Sequence, residues 1–367
     1  MKRVYFFGTG NCAEVYADKI EITLKSLGDY KIMGFLDNDV NKVGMFFGKY
    51  KIYRPDILRE YPCDLVLVFL MNAGDYEIVY KQLSEFIPSN LIHEYYFPLR
   101  LLIQRKYEGS NDREIRETLN YISNNKISIY NQFIDGDDTY DEVKWDARID
   151  LPYVEFETIE GKKKPMYYPR NYIFSEKDGS FYVWNLIKEQ SAGSPHLYTK
   201  KNHDICDGDR IVDVGVCEGN FALKYIDVVS HIYLFEMDPV WREPLKYTFK
   251  EYENKITFID KEVGDRASNL TCRIDDIVLN HKINFIKMDI EGAEVSALIG
   301  AKQTFCRNNV KSSVCCYHRS KDEEKIRSLL ESYGYQTAVS TGYMLFLHDN
   351  EVWRTGELRR GIVYGDK

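Results

Sequence analysis

The segment 211–238, IVDVGVCEGNFALKYIDVVSHIYLFEMD, constrains the fold more than any other part of the chain. An apolar run leads into a turn that carries Gly215 and Gly219, a helical pattern follows, and a second apolar run at 231–235 ends at Glu236. This order predicts a strand, a glycine turn, a helix and a second strand with an acid at its tip, as in a doubly wound α/β sheet. In such a sheet the acid, about 20 residues after the turn, accepts hydrogen bonds from the ribose of a nucleoside. We therefore expect a nucleoside-type cofactor.

The charges of the turn distinguish between cofactors. Asp213 stands two residues before Gly215, and Glu218 directly precedes Gly219, so the spacing is not that of the dinucleotide fingerprint Gly-x-Gly-x-x-Gly. Two carboxylates would repel a pyrophosphate but attract a sulfonium and an ammonium group. This pattern favours S-adenosylmethionine. The alternative is an ordinary α/β turn in which the acids only cap a helix.

Three motifs together carry a family resemblance. They are Asp-Val-Gly at 213–215, Phe-Glu at 235–236 and Lys-Met-Asp-Ile-Glu-Gly-Ala-Glu at 287–294, the last of which follows an apolar strand pattern. In these motifs the sequence resembles the FkbM family of S-adenosylmethionine-dependent methyltransferases, over roughly residues 200–350. The resemblance implies a methyl transfer, and a carbohydrate acceptor in surface polysaccharide synthesis.

The sequence departs from the family pattern at two points. Residues 215–219 read Gly-Val-Cys-Glu-Gly where the family usually has Gly-Ala-Asn-Ile-Gly, and Met237 stands where a proline is usual. These departures place the chain in a divergent subgroup. The residues expected to bind the cofactor are Asp213, Gly215, Val216, Glu218, Gly219, Asn220, Phe221, Glu236, Met237, Val263 and Asp289.

The predicted fold class is α/β. We expect a Rossmann-like domain of nucleotide-sugar-binding type at 1–98, and a helical and hairpin connection with a lid at 99–200. An FkbM-like domain with the seven-stranded doubly wound sheet of class I methyltransferases is expected at 201–367. By family analogy, 336–340 and 343–347 form a hairpin that provides the last two strands of this sheet.

The N-terminal domain carries its own glycine turn. Gly8 and Gly10 begin the pattern Gly-x-Gly-x-x-Ala between a strand and a helix, which is typical of nucleotide-binding domains. The residues around Asp37 resemble the nucleotide-sugar-binding domains that accompany sugar-modifying enzymes. We predict a second nucleotide site formed by Gly8, Gly10, Asn11 and Asp37. The alternative is a domain without a ligand that dimerises or acts as a scaffold, which leaves a homo-oligomer open.

The connecting region gives weaker signals. A helix is predicted at 113–124 and a hairpin at 153–174, whereas the acidic loop at 135–142 lacks the residues of a calcium loop. The polar, glycine-bearing stretch 189–198 precedes the methyltransferase domain and is predicted to cross its ligand site, with an ordinary connecting loop as the alternative. The predicted substrate-binding residues are Glu189, Gln190, Ser194, His196 and Tyr317.

Two strand tips offer catalytic groups. Asp289 follows the strand at 284–288, and His318 follows the apolar run at 313–317. A sugar hydroxyl is a poor nucleophile and needs a base, for which His318 has the suitable intrinsic pKa. The alternative for His318 is a cap on the next helix. Asp289 and Glu291 complete the predicted catalytic set, and as a pair they are too few ligands to predict a magnesium site.

Composition excludes several classes of protein. The net charge of −8 and a pI of about 5.6 disfavour a nucleic-acid partner, since phosphate binding requires an excess of Lys and Arg. The clearly apolar run 65–71 is far too short for a membrane span. The N-terminus lacks the features of a signal peptide, so we expect a cytoplasmic protein. Eight cysteines show no Cys-x-x-Cys spacing, and no metal site is predicted.

Two rival functions remain. The first is an NAD-dependent oxidoreductase using the N-terminal turn, for which the Tyr-x-x-x-Lys matches at Tyr140 and Tyr317 are no more than a tyrosine-rich chain gives by chance. The second is a non-catalytic nucleotide-sugar-binding module, which the presence of Asp213 and Glu236 disfavours. The preferred prediction is an S-adenosylmethionine-dependent O-methyltransferase acting on a small-molecule or carbohydrate substrate that is free or nucleotide-linked.

Overall fold

The protein divides into two compact units in the computed structural model, which describes residues 1–70, 72–124, 142–172 and 189–367. The first unit comprises 1–127 together with 347–358, and the second comprises 128–346 together with 359–367. These units differ from the three predicted segments, because the connecting region is shared between them and a short C-terminal stretch belongs to the first.

The first unit is built on a six-stranded sheet with the order β3-β4-β2-β1-β5-β6. All neighbours are parallel except β3 and β4. The strands β1 and β5 are apolar because both faces of the sheet are covered, as parallel sheets require. The strands are β1 (Lys2–Phe7), β2 (Tyr30–Leu36), β3 (Phe46–Phe47), β4 (Tyr50–Tyr53), β5 (Leu65–Val68) and β6 (Ile92–Glu94).

The first helix of this unit, α1 (Asn11–Leu27), follows the first glycine turn as predicted. A further helix, Asn350–Thr355, packs against α1, where the hydroxyl of Thr23 donates a 2.7 Å hydrogen bond to the carbonyl of Trp353. Burial of the Trp353 ring explains why this late stretch of chain belongs to the first unit. The other helices are α2 (Ala73–Ser84), α3 (Phe97–Lys106) and α4 (Arg113–Asn124), with 3₁₀ turns at Pro55–Arg59 and Ser89–Leu91.

The second unit contains the predicted seven-stranded sheet. Its order is β12-β11-β10-β15-β16-β18-β17, and the first five strands are parallel while β18 is antiparallel to both of its neighbours. The chain order reverses between β10 and β15, so their carboxyl ends flank the crevice where such sheets bind ligands. The strands are β10 (Arg210–Val214), β11 (His231–Phe235), β12 (Ile256–Ile259), β15 (Phe285–Met288), β16 (Lys311–Cys315), β17 (Gln336–Val339) and β18 (Ile362–Asp366).

The remaining elements of the second unit surround this sheet. The small strands are β7 (Lys144–Asp146), β8 (Leu151–Glu157), β9 (Lys163–Tyr167), β13 (Glu262–Val263) and β14 (Thr271–Cys272). The helices are α5 (Asn220–Tyr225), α6 (Pro239–Thr248), α7 (Ile274–Val278), α8 (Glu294–Gly300), α9 (Lys302–Arg307) and α10 (Asp322–Ser332), with a 3₁₀ turn at Lys250–Lys255.

The predicted final hairpin is wrong in its second strand. The stretch 343–347 is not a strand, and its only pairing in the described structure is the bridge between Met344 and Arg359. The last sheet strand is instead β18, where Val363 lies between Val314 of β16 and Val339 of β17. Residues 362–366 form the strand at this place because their first three residues are apolar and fill buried positions on both faces of the sheet.

The connecting region agrees in part with the sequence. Helix α4 covers 113–124 as predicted, and β8 and β9 form the predicted hairpin with Gly161 in its turn. The end of that hairpin at 173–174 and nearly all of the acidic loop at 135–142 lie outside the described residues. Among the described residues, no helix has the length and apolar character needed to cross a bilayer.

Candidate active site

The turn between β10 and α5 brings the backbone close to the tip of β15. Gly215 has a φ of +80°, and a Cβ atom at this position would lie 1.8 Å from the carbonyl oxygen of Asp289. Gly219, with a φ of +86°, begins α5. Only glycine satisfies both the positive φ and the close approach at 215. The turn therefore packs directly against the end of β15.

Glu236 lies at the tip of β11 and holds the turn from the side. Its carboxylate accepts hydrogen bonds from the backbone N–H of Cys217 at 2.9 Å and of Asp238 at 2.8 Å. Each carboxylate oxygen has two lone pairs, so these bonds leave acceptor capacity for a ligand. The predicted acid is thus at the turn, and Met237 beside it is exposed.

Asp213 is fully buried and supports the turn from below. It is the register partner of Lys287 on the neighbouring strand, and the two side chains pair at 3.0 Å. The Lys287 ammonium also donates to the carbonyl of Gly215. Burial raises the pKa of the Asp213 carboxyl, and the Lys287 charge opposes this change. Asp213 is therefore buried as the ion-pair partner of Lys287 at the base of the turn.

Glu218 is turned inward from the same turn. The side chain is buried, and in the described part of the chain its Oε2 atom has no hydrogen-bond partner. Burial raises the pKa of this carboxyl from 4.5 to about 8. Glu218 is therefore mostly protonated at neutral pH in the protein without a ligand, and a cation bound beside it would favour its charged form.

This environment predicts a pH-dependent stability. The pKa of Glu218 in the folded state lies above its ordinary value, so the folded protein holds this proton more tightly than the unfolded chain. The resulting stabilisation of the folded state is complete below about pH 4.5 and is lost as the pH rises to about 8. The free energy of unfolding of the wild type should fall relative to Glu218→Gln by about 1.4 kcal/mol per pH unit in this window. Urea unfolding at pH 5 and pH 8 measures the difference. The exposed Glu324→Gln should show no such trend, and parallel pH profiles for wild type and Glu218→Gln would exclude the prediction.

Asp289, at the tip of β15, lies between two imidazoles. Its Oδ2 atom is 3.3 Å from Nε2 of His196, and its Oδ1 atom is 3.4 Å from Nε2 of His318. The hydroxyls of Tyr198 and Tyr317 donate to the same carboxylate at 2.7 and 3.2 Å. The side chain is still 19% exposed, so this carboxylate reaches the crevice.

A glutamate carboxylate lies next to the Nδ1 atom of each imidazole. Nδ1 of His196 contacts the Glu189 carboxylate, and Nδ1 of His318 lies 2.9 Å from Oε1 of Glu294. Burial lowers the pKa of His196, but Glu189 and Asp289 outweigh it and raise that pKa to about 9. The pKa of His318 is raised in the same way, with Glu294 as the main opposing group. Burial raises the pKa of Asp289, but the two histidines outweigh this effect and hold the pKa well below its usual range.

The other predicted substrate and catalytic residues take different places. Gln190 bonds to the backbone of His196 and Tyr198, and Ser194 accepts from the His196 N–H, so both order their own loop. Glu291 is exposed at the crevice, 3.7 Å from His318. The predicted cofactor residues Val216, Phe221 and Val263 are buried in the apolar cores beside the sheet, and the Asn220 carboxamide accepts from the backbone N–H of Phe221.

Sequence reasoning missed three residues of this site. Lys287, Tyr198 and Glu294 were not assigned to binding or catalysis, although Lys287 is a single charge within an apolar strand pattern and Tyr198 falls in the predicted lid segment. Glu294, the last residue of the 287–294 motif, is fully buried against His318.

The first unit has its own pocket at the predicted second site. It encloses about 480 Å³, and Gly8, Gly10, Asn11 and Asp37 all line it. The Asp37 carboxylate accepts from the backbone N–H of Thr9 at 3.2 Å, which holds the glycine turn closed against β2. The structure thus brings the four predicted residues together around one cavity.

Residues 260–337 match the sequence model of a family described as the methyltransferase FkbM domain. This range contains the 287–294 motif and His318, and the match confirms the resemblance predicted from the sequence. No curated protein matches the chain at a significant level.

Solved methyltransferase structures are similar to this chain to different extents, and only the first of the three below is similar enough to indicate a shared fold. The crystal structure of methyltransferase FkbM from Methylobacillus flagellatus KT aligns with a TM-score of 0.50 and 15% identity, covering 99% of this chain and 90% of that one. A putative methyltransferase, SMU.1697c from Streptococcus mutans, in complex with SAH has a TM-score of 0.30 and 14% identity over 46% of this chain and 96% of that one. Magnesium protoporphyrin IX methyltransferase from Synechocystis PCC 6803 with bound SAM has a TM-score of 0.31 and 13% identity over 44% and 71%.

Proposed function

We propose that the second unit transfers a methyl group from S-adenosylmethionine to a hydroxyl group of a carbohydrate. The basis is the match of residues 260–337 to the methyltransferase FkbM domain. The chain is a methyltransferase of the S-adenosylmethionine-dependent class. The acceptor and the residues that act on it are the proposed part.

The turn after β10 suits S-adenosylmethionine. Gly215 lets the turn pack against the tip of β15, which places Glu236 beside the turn with acceptor capacity for the ribose hydroxyls. The Oε2 atom of the buried Glu218 has no hydrogen-bond partner among the described residues and would gain one from a cationic group. When bound, S-adenosylmethionine supplies a methyl group activated by a sulfonium. The Glu236 carboxylate would repel a pyrophosphate, and the buried Glu218 carboxyl would remain without a cationic partner.

The observation that carries the hydroxyl acceptor is the Asp289 carboxylate between His196 and His318. A hydroxyl is a weak nucleophile, so its methylation requires a group that orients it and removes its proton. Asp289 is the partly exposed member of this cluster and can accept a hydrogen bond from the hydroxyl, while the buried imidazoles hold the carboxylate in place. The carbohydrate class itself rests on the resemblance to the FkbM family.

The first unit is proposed to bind a nucleotide-linked sugar in its own pocket. Its cavity of about 480 Å³ is lined by the glycine turn Gly8–Gly10 and by Asp37 and Asn38, which combine backbone and polar groups with apolar walls. This composition is typical of small-molecule sites. A domain that acts only as a scaffold is the alternative, and binding of a UDP-sugar distinguishes the two.

Transfer of a labelled methyl group tests the proposal. The full-length protein is incubated with methyl-labelled S-adenosylmethionine and a panel of UDP-sugars and oligosaccharides, and the products are separated by mass spectrometry. We expect label on a sugar hydroxyl and production of S-adenosylhomocysteine. Label found only on nitrogen acceptors, or consumption of NADH in the same mixtures without methyl transfer, would contradict the proposal.

A further inference from the structure

We propose that Asp289, Glu291 and His318 bind a divalent transition-metal ion at the tips of β15 and β16. The binding itself follows from the geometry of the second unit. Its use in the reaction, which is to hold the acceptor hydroxyl, rests on the proposed function.

The environment of His318 gives the first reason. The imidazole is only 3% exposed, and its Nε2 atom lies 3.4 Å from Asp289 and 3.7 Å from Glu291. Within the described residues, its Nε2 atom has no hydrogen-bond partner. A buried polar group without such a partner is rare and calls for an ion or water that completes its surroundings. The Nε2 atom faces two carboxylates, which is the surrounding that a cation requires.

The second reason is the carboxylate behind the ring. Oε1 of Glu294 lies 2.9 Å from Nδ1 of His318 and also accepts the backbone N–H of Ile290 at 2.9 Å. Metal-binding histidines commonly have a carboxylate next to the ring nitrogen that does not bind the metal, because this fixes the orientation of the ring. Glu294 is fully buried, so we assign it this supporting place and leave the metal to the three groups nearer the crevice.

The third reason is access. Glu291 is 82% exposed, and its backbone has a φ of +54°, a conformation that is uncommon for a residue other than glycine. Its side chain is therefore open to an ion that enters from solvent. Ligand atoms of Asp289, Glu294 and His318 lie within 4.8 Å of one another, as do those of His196, Asp289 and Cys315. Glu294, His196 and Cys315 are buried, whereas Glu291 adds an exposed carboxylate 3.7 Å from His318. One imidazole and two carboxylates suit Mn²⁺, Fe²⁺ or Zn²⁺.

A cation at this place would change how the acceptor is activated. A hydroxyl oxygen bound to a divalent ion gives up its proton more readily than a free one. Three protein ligands leave further coordination positions for such an oxygen. The same ion would offset the negative charges of Asp289 and Glu291.

Titration with Mn²⁺ tests the proposal. The untagged full-length protein is dialysed against a chelator and then titrated with Mn²⁺, and the free ion is measured by electron paramagnetic resonance. We expect one Mn²⁺ per chain, and binding weakened by about 10–100-fold or more in Glu291→Gln, which folds normally because the side chain is exposed. His318→Gln, checked by circular dichroism, should weaken binding similarly, whereas the exposed Glu324→Gln should match the wild type.

Binding of S-adenosylhomocysteine to the same samples separates the two proposals. Unchanged Mn²⁺ affinity in Glu291→Gln, or no Mn²⁺ binding by the wild type below millimolar concentration, overturns the metal site even if S-adenosylhomocysteine binds. Mn²⁺ binding that depends on Glu291 supports the metal site, whether or not S-adenosylhomocysteine binds. Failure of S-adenosylhomocysteine to bind counts against the proposed function alone.

Discussion

Replacement of Asp289 by Asn is expected to lower kcat by about 10²-fold, the effect of misplacing a reacting group, while the protein remains folded. The carboxamide has the same shape and can still accept the 2.7 Å hydrogen bond from Tyr198. It cannot supply the negative charge that faces His196 and His318. The acceptor hydroxyl would therefore lose the carboxylate that orients it.

Steady-state methyl transfer with the labelled cofactor measures this effect. The affinity for S-adenosylhomocysteine should change little, because the glycine turn and Glu236 remain. Asp260→Asn is a matched control, since Asp260 follows β12 at the edge of the same sheet and forms an exposed ion pair with Arg242 at 3.0 Å. A kcat within a factor of three of the wild type would remove Asp289 from the reaction.

Replacement of Lys287 by Met is expected to lower the free energy of unfolding by about 3–5 kcal/mol, as for other broken buried ion pairs. Lys287 is buried at the centre of the sheet and is the counter-charge of Asp213, 3.0 Å away. The substitution preserves most of the side-chain volume but leaves a carboxylate in an apolar interior. It also removes the ammonium donor to the carbonyl of Gly215.

The double variant Asp213→Asn/Lys287→Met identifies the cause. If the unpaired charge accounts for the loss, the second substitution should recover a large part of it, since the remaining amide carries no charge. Urea unfolding followed by circular dichroism gives both values, and Lys282→Met, an exposed site just before β15, should change stability by no more than about 0.5 kcal/mol. A loss below 1 kcal/mol in Lys287→Met would show that the pair does not stabilise the sheet.

The local sequence pattern was sufficient to predict the central strands of the second unit. The apolar runs before Gly215, Glu236 and Asp289 predicted β10, β11 and β15 to within one residue, because strands buried on both faces are continuously apolar. The motif 287–294 predicted the methyltransferase domain because its residues follow one another in the chain. Such signals need no knowledge of distant contacts.

The parts that could not be predicted depend on pairing between distant segments. The stretches 343–347 and 362–366 are both apolar, and only competition for the edge of β16 decides that the second enters the sheet. The site shows the same limit. Glu189 and His196 meet Asp289 and His318 only after folding, and no local pattern indicates that two histidines share one carboxylate. Asp213 was predicted to attract the cofactor, and no local pattern indicated that it is the buried ion-pair partner of Lys287 in the neighbouring strand.

Calorimetric titration of S-adenosylhomocysteine into the wild type and Glu236→Ala tests the central claim most directly. We predict micromolar binding to the wild type, weakened in the variant by about 1.5–3 kcal/mol, the value of hydrogen bonds to a charged acceptor. Circular dichroism of the variant controls for the loss of the bonds from Cys217 and Asp238. No binding by the wild type, or equal affinity in the two proteins, would contradict a cofactor site at the tip of β11.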